Sequence, residues 1–430
     1  MNSLTGKRLL LLGGTAASYD LVRLAKEMGI YTIVADDRES GMAKDIADEK
    51  VIVSTTDIEG LVSLVKTRQI DGVFCSPSEF QIRNAMQVCE KAGLPFYATA
   101  EQWANCSNKK MLKKHCAKVG LPSIPEYHFS NMDDLENCPD DLFPVIVKPV
   151  DAASSRGVSV CYDKSQLKEA VSVALSQSRC GDALVEKYID NGGRLFSFRY
   201  FLDGDNCYPY LLMDTYVADP VNKKKMISAF SYAPSQYADM FLTRFDNSIR
   251  KVLQDMGLAN GTVFAQAILD KENFYCHDMG LRLSGGMLFR MCEHMTGIND
   301  MKMMLRLALG GPICTNEELK QINPNPDHGV TGQLMIPLDA GTIATIRGVQ
   351  EIKDDPSVIS YIQYYYEGDT LTEKSQGTLV QQFARISIAA PDKDTLVNIV
   401  NRLQDGISIT STEGKEMYTM RFDTQRLYEK

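Results

Sequence analysis

No stretch of the 430-residue chain approaches the roughly 20 consecutive apolar residues that a membrane-spanning helix needs. The opening MNSLTGKRLLLLGG has too short an apolar run for a secretory leader, so a cytoplasmic protein is expected. The 11 cysteines include no CxxC pair and no Cys/His cluster, which excludes the usual zinc sites and fits reduced, buried thiols better than disulfides. An excess of basic residues is also missing. The formal net charge of -9 argues against nucleic acid or an anionic membrane as the main partner. Low-complexity tracts and internal repeats are absent too. What is present is ordinary for a globular protein, 44% hydrophobic and 23% charged, in a chain long enough for two or three domains.

The chain opens with a βαβ pattern. A short apolar strand over 7–12 leads through Gly13-Gly14 to a helix over 16–28, closed by Gly29, and a second strand over 31–35. Strands over 51–53 and 72–75 with helices over 58–66 and 79–91 continue the alternation, which predicts a parallel sheet covered by helices. The dinucleotide fingerprint needs glycine at its third and sixth positions, where GGTAAS has Thr15 and Ser18, so nicotinamide binding is not expected. The strand ends near Gly13, Gly14 and Ser76 to Glu79 remain the places where such a sheet binds a ligand.

Four later segments carry chemistry. In SNKKMLKKHCAKVG, Ser107 is the expected helix cap and Lys109, near the helix start, can reach a phosphate. In FPVIVKPVDAASSRGVSV, Lys148 ends a buried strand over 145–147. The following loop, with Ser154, Ser155, Arg156 and Gly157, can present hydroxyls and backbone N–H groups to phosphate oxygens. In ALVEKYIDNGG, Glu186 followed by the extended backbone of Lys187, Tyr188 and Ile189 suits a nucleoside. Last, TVFAQAILDKENFYCHDMGLRLSGGMLFR reads as strands over 262–270 and 274–280 joined by a three-residue turn at 271–273. That turn sets Gln266 opposite Asp278 and Phe264 opposite Gly280, with Asp278, Gly280 and Arg282 on one side next to the pair Gly285-Gly286. A carboxylate, an amide and a guanidinium converging there suit a polyphosphate and its metal.

In order and spacing these segments resemble the ATP-grasp superfamily, in particular its carboxylate-amine ligases and the group of biotin carboxylase, carbamoyl-phosphate synthase large subunit and L-amino acid ligase. TGIND, LALGG and a C-terminal portion from near Val330 match as well. The resemblance implies an α/β and α+β chain: a Rossmann-like pre-ATP-grasp domain over 1–105, an ATP-grasp domain over 106–315 with a lid over about 120–190, and a small α+β domain over 316–430. By it, Lys109 and Lys148 hold the ATP phosphates, and the loop of Ser154, Ser155 and Gly157 closes over them. Glu186, Lys187, Tyr188 and Ile189 take ribose and adenine, and Arg282 stabilises the phosphoryl group in transfer. ATP and Mg²⁺ are the implied cofactors, and the partners are a small carboxylate and an amine, with no nucleic acid or membrane and room for a homodimer.

The departures are specific. Family members usually carry Glu at the position of Gln266 and a Glu-x-Asn arrangement where this chain has Asp278, Met279 and Gly280, so the metal donors, Asp278 and Gln266, are weakened. Glu293, His277 and Asp214 are the acids and imidazole available to compensate. Two readings follow: an active ligase, or a nucleotide-binding regulatory or scaffold protein without turnover. Candidates for reading the carboxylate are Arg199 and Arg290, an arginine pair, beside Gly285 and Gly286. Beyond the turn-rich NPNPDHG, the C-terminal region reads as a strand or helix over 342–350, strands over 358–366 and 383–389, and a helix over 393–403.

Overall fold

The computed structural model describes residues 4–129, 134–152, 155–218, 227–270 and 273–429. The N-terminal alternation folds as read. Strands β1 (Arg8–Leu12), β2 (Tyr31–Asp36), β3 (Glu49–Ile52) and β4 (Gly72–Cys75) form a parallel sheet in the order β3-β2-β1-β4. Leu9 to Leu12 are fully buried because helices cover both faces. Those helices include α1 (Ala16–Glu27), α2 (Met42–Ile46), α3 (Ile58–Thr67) and α4 (Glu79–Ala92).

Helices α5 (Ala100–Ser107) and α6 (Lys109–Lys118) lead out of this sheet. The cap of α6 is Asn108, not Ser107: its side chain accepts from the N–H groups of Lys110 and Met111 at 2.9 and 3.2 Å. Ser107 is the last residue of α5, because the two helices are separated by Asn108 alone.

A second sheet holds β5 (Glu126–Tyr127), β6 (Val145–Pro149), β7 (Ser159–Cys161) and β8 (Ala183–Lys187), antiparallel in the order β5-β8-β6-β7. Helix α7 (Lys164–Gln177) lays Leu167, Ala170, Val171 and Ala174 on Val145 and Val147, giving this unit its own small core.

The largest element is an antiparallel sheet of eight strands. It contains β9 (Arg194–Asp203), β10 (Asn206–Val217), β11 (Ser228–Ala233), β12 (Asn260–Asp270), β13 (Asn273–Leu281) and β14 (Val330–Pro337). After β15 (Gly341–Arg347) and helix Val349–Asp354, two further members are β16 (Val358–Gln363) and, past the short β17 (Thr370–Leu371), β18 (Gln382–Ala390). The order is β13-β12-β9-β10-β11-β14-β18-β16, so the C-terminal strands extend the central sheet directly. Strand β19 (Ser408–Ser411) pairs with β15 in a small separate sheet. The expected strand over 358–366 stops at Gln363, and Tyr364 instead lies under the Arg385 guanidinium at 5.7 Å.

Alternation across the central sheet separates core from site. On β9, Phe196 and Phe198 pack on Phe241 at 5.0 Å each, while Ser197 and Arg199 face a cavity. On β12, Val263, Ala265 and Ala267 are buried, and Phe264, Gln266 and Ile268 face the same cavity. Among the described residues no helix is long and apolar enough to cross a membrane.

Candidate functional site

The cavity has a volume of about 350 Å³ and lies where the central sheet, the β5–β8 sheet and the start of α4 meet. One side of it is built from two ammonium groups, Lys148 buried and Lys109 half-buried. Lys148, at the end of β6, is 6% exposed and its Nζ lies 2.6 Å from a Glu186 oxygen. The other Glu186 oxygen accepts from Lys113 Nζ, also at 2.6 Å. Burial opposes the charge on Glu186, but Lys148 and Lys113 together hold its carboxyl below the usual range. Both oxygens of the expected ribose acceptor are therefore engaged, and in this conformation Glu186 positions Lys148.

Lys109 is anchored at the start of α6, where its N–H donates to Val150 O at 2.9 Å. Its Nζ donates to Ala152 O at 3.1 Å and lies 3.2 Å from Asp278 Oδ1. Burial alone would raise the Asp278 carboxyl, and Lys109 beside it brings it below the usual range instead. Ser155 lines the cavity in a left-handed backbone conformation. Gly157 is also left-handed, and a side chain there would meet Pro149 at 2.9 Å. Ser154 lies outside the described residues. Lys187, Tyr188 and Ile189 line the cavity, with two backbone donors already used: Lys187 N–H on Pro125 O and Tyr188 N–H on Pro144 O, at 3.0 and 3.1 Å.

The hairpin of β12 and β13 carries the centre. Gln266 pairs with Asp278 and Phe264 with Gly280, as the sequence led us to expect, although by a different route. Asp270 pairs with Asn273, so Asn273 belongs to the strand and not to the turn, whose other two residues lie outside the described set. The register is restored by a bulge at His277 between the Gln266 and Ala267 pairs. His277 lines the cavity beside Asp278, and burial, with Lys148 nearby, pushes its pKa down to about 4. Gly280 is required by its neighbour: a side chain there would meet the Phe264 ring at 2.3 Å.

Beyond Asp278 the cavity becomes an arginine pocket. The Arg282 guanidinium stacks on the Phe264 ring at 4.4 Å and reaches toward Glu79 at 3.7 Å; Arg199 approaches the same ring at 5.6 Å. Arg199 is buried, makes no ion pair among the described residues, and donates only to Phe198 O at 3.0 Å. A third arginine, Arg385 of β18, was not anticipated. It donates to Gln382 at 2.9 Å and to the carbonyl of Gly285, while Gln333 of β14 donates to the carbonyl of Gly286 at 2.9 Å. The glycine pair thus ties the C-terminal strands to the pocket. The signal for Arg385 was a lone charge inside the largely apolar strand QFARISIAA. Glu79 lies in the segment assigned to a ligand by the sheet rule.

Other candidates sit elsewhere. Arg290 does not line the cavity; its Nη2 is held by Asp20 of α1 at 3.2 Å. Glu293 binds Asn299 and Lys302 at 3.0 and 3.3 Å. Asp214 is buried behind the sheet, accepting from Ser235 Oγ and Gln236 N–H at 2.7 and 3.2 Å. What remains around a would-be cation is one carboxylate already paired with Lys109, one amide and the imidazole of His277. That mixed set does not match the all-oxygen preference of magnesium.

The fold and the cavity-bearing segment have counterparts among known proteins. Residues 108–315 match the family described as "Carbamoyl-phosphate synthase L chain, ATP binding domain". The carbamoyl phosphate synthase large chain of Clostridium acetobutylicum is 23% identical over 58% of this chain, which spans only 27% of that relative's length. A formate-dependent phosphoribosylglycinamide formyltransferase of Sulfurisphaera tokodaii is 25% identical over 75% of this chain and 80% of its own. Among solved structures, the L-amino acid ligase of Bacillus licheniformis superposes with a TM-score of 0.78 at 20% identity, covering 95% of this chain and 99% of that one.

Proposed function

We propose that the chain is an ATP-dependent carboxylate-amine ligase. The observation that carries this reading is a single cavity lined both by Lys109 and Lys148 and by Arg199, Arg282 and Arg385. Polyphosphate suits the first pair and a small carboxylate suits the arginines, which bind such groups bidentately.

In this reading Lys148 and Lys109 hold the ATP phosphates, exchanging their internal partners Glu186 and Asp278 for phosphate oxygens. The loop of Ser154, Ser155 and Gly157 closes over the phosphates. The backbone of Lys187 to Ile189 takes the adenine, with Glu186 near the ribose. A substrate carboxylate held by Arg199 and Arg385 attacks the γ-phosphorus, breaking its bond to the ADP oxygen and giving an acyl phosphate. Arg282 stabilises the charge on the phosphoryl group in transfer. An amine then attacks the acyl carbon and the C–O bond to phosphate breaks. Glu79 is the cavity carboxylate suited to receive the ammonium group or its proton.

We also propose the division at about 105 and 315, with the C-terminal strands contributing Gln333 and Arg385 to the substrate side. The replacement of a carboxylate by an amide at Gln266 and the missing side-chain donor at Gly280 favour the second reading, a nucleotide-binding protein without turnover. Arg282→Ala separates the two: under the ligase reading it binds ATP as before but loses substrate-dependent ADP release, whereas a parent chain that releases no ADP with any carboxylate supports the second.

A further inference from the structure

The hairpin that carries Asp278 has an extra residue. Between the pairs Gln266–Asp278 and Ala267–Cys276 the register shifts and leaves His277 unpaired. Such a bulge breaks the strict alternation of a strand and re-aims a side chain. Here His277 and Asp278 are adjacent in sequence yet both line the cavity, while Cys276 is buried in the core. His277 Nε2 is sealed from solvent and has no hydrogen-bond partner among the described residues. An orphaned buried nitrogen calls for an explanation, and an ion bound in the cavity beside it is one. Gln266, directly across from Asp278, adds an amide oxygen on the same face. Two positions along β13, the Phe264 ring fills the space where Gly280 would otherwise carry a donor.

We propose that His277 is a nitrogen ligand to the divalent cation that accompanies the nucleotide, with Asp278 and Gln266 supplying oxygens, so that this site selects manganese or cobalt over magnesium. The inference rests on the nucleotide-binding reading above. Its chemical basis is the difference between the ions. Magnesium demands oxygen ligands in near-ideal octahedral geometry, whereas the transition ions manganese and, more strongly, cobalt tolerate one imidazole nitrogen among oxygen donors. The site has exchanged an anionic oxygen for a neutral nitrogen and made room for it by one inserted residue.

The test uses the full chain with saturating ADP. Manganese is added and followed by pulsed electron paramagnetic resonance, and calorimetry compares manganese with magnesium. The expected results are modulation from a directly bound imidazole nitrogen, and a manganese preference exceeding that of free ADP by about tenfold, the scale on which groups that shape a metal site act. His277→Gln removes both signals while metal-free ADP binding is retained, and Gln266→Glu, by adding a carboxylate, moves the preference back toward magnesium. A manganese–ADP signal without nitrogen coupling overturns the inference alone. Failure of ADP to bind with any cation overturns the nucleotide reading and this inference with it. The spectrum of the unsubstituted chain decides the matter even if His277→Gln does not fold.

Discussion

Glu186 is the residue on which the lysine side of the cavity depends. It is 1% exposed and stands between Lys148 and Lys113. A buried carboxylate between two ammonium groups fixes their positions but leaves each able to take a stronger anion. Lys148→Ala is accordingly expected to weaken ATP binding by about 10- to 100-fold, the worth of a charged hydrogen bond. The fold should survive, because Lys113 still neutralises Glu186. Calorimetry checks the affinity and thermal melting the fold; ATP binding that is unchanged would remove Lys148 from the site. Asp214, away from the cavity, offers a pH test. Burial, only partly offset by Ser235 and Gln236, pushes its pKa up to about 6. A carboxyl raised in the folded state stabilises the protein below its unfolded pKa near 4 and loses that contribution as pH rises through about 6. Compared with Asp214→Asn, the parent chain should therefore lose about 3 kcal/mol between those limits, measured by denaturant unfolding at a series of pH values. A pH-independent difference would contradict the assignment.

At the scale of the element, the β12–β13 hairpin explains both what the sequence disclosed and what it hid. Alternation along TVFAQAILD and the convergence of Asp278, Gly280 and Arg282 were legible because a strand sends every second side chain to one face. The pairing of Gln266 with Asp278 was expected from a three-residue turn, yet it arises from Asn273 joining the strand and a bulge restoring the register. A bulge has no local sequence signature here, so His277 could be named as a donor but not aimed. Gly280 was legible only as a missing amide; its reason, the Phe264 ring, lies on the neighbouring strand. Gly280→Ala should destabilise the chain by about 1–3 kcal/mol through overpacking. The same change in a Phe264→Leu background should be less damaging, a coupling readable as a double-mutant cycle. Additive effects would mean that the ring does not shape this position.

Over the whole molecule, the central sheet joins the regions that the sequence separates. The N-terminal βαβ run, the lysine segments and the order of the pieces were readable because each rests on local periodicity or capping. The arginine pocket was not: Arg199 and Arg385 come from β9 and β18 and Arg282 directly follows β13, and the β11–β14 pairing brings the C-terminal strands into the same sheet. Arg290, close in sequence to the glycine pair, turns away to Asp20, which shows that proximity along the chain is a poor guide at a helix start. Arg385→Ala should raise the KM for the carboxylate about tenfold or more while leaving ATP affinity unchanged, since its buried guanidinium is assigned to substrate and not to nucleotide. An equal loss of ATP binding would show that the C-terminal strands serve the nucleotide instead.

In the proposed reading one cavity couples ATP to the activation of a small carboxylate. The measurement that tests it most directly is ADP release from ATP over a panel of amino acids and small carboxylates, offered singly and in pairs with an amine. Each is run with magnesium and with manganese, beside calorimetric titration of the nucleotide. A ligase should bind nucleotide tightly and release ADP at a rate that rises only with a matching carboxylate and amine, accompanied by an equal amount of phosphate. Nucleotide binding with no substrate-stimulated ADP release for any pair and either metal would contradict it, and would leave the chain a nucleotide-binding protein without turnover.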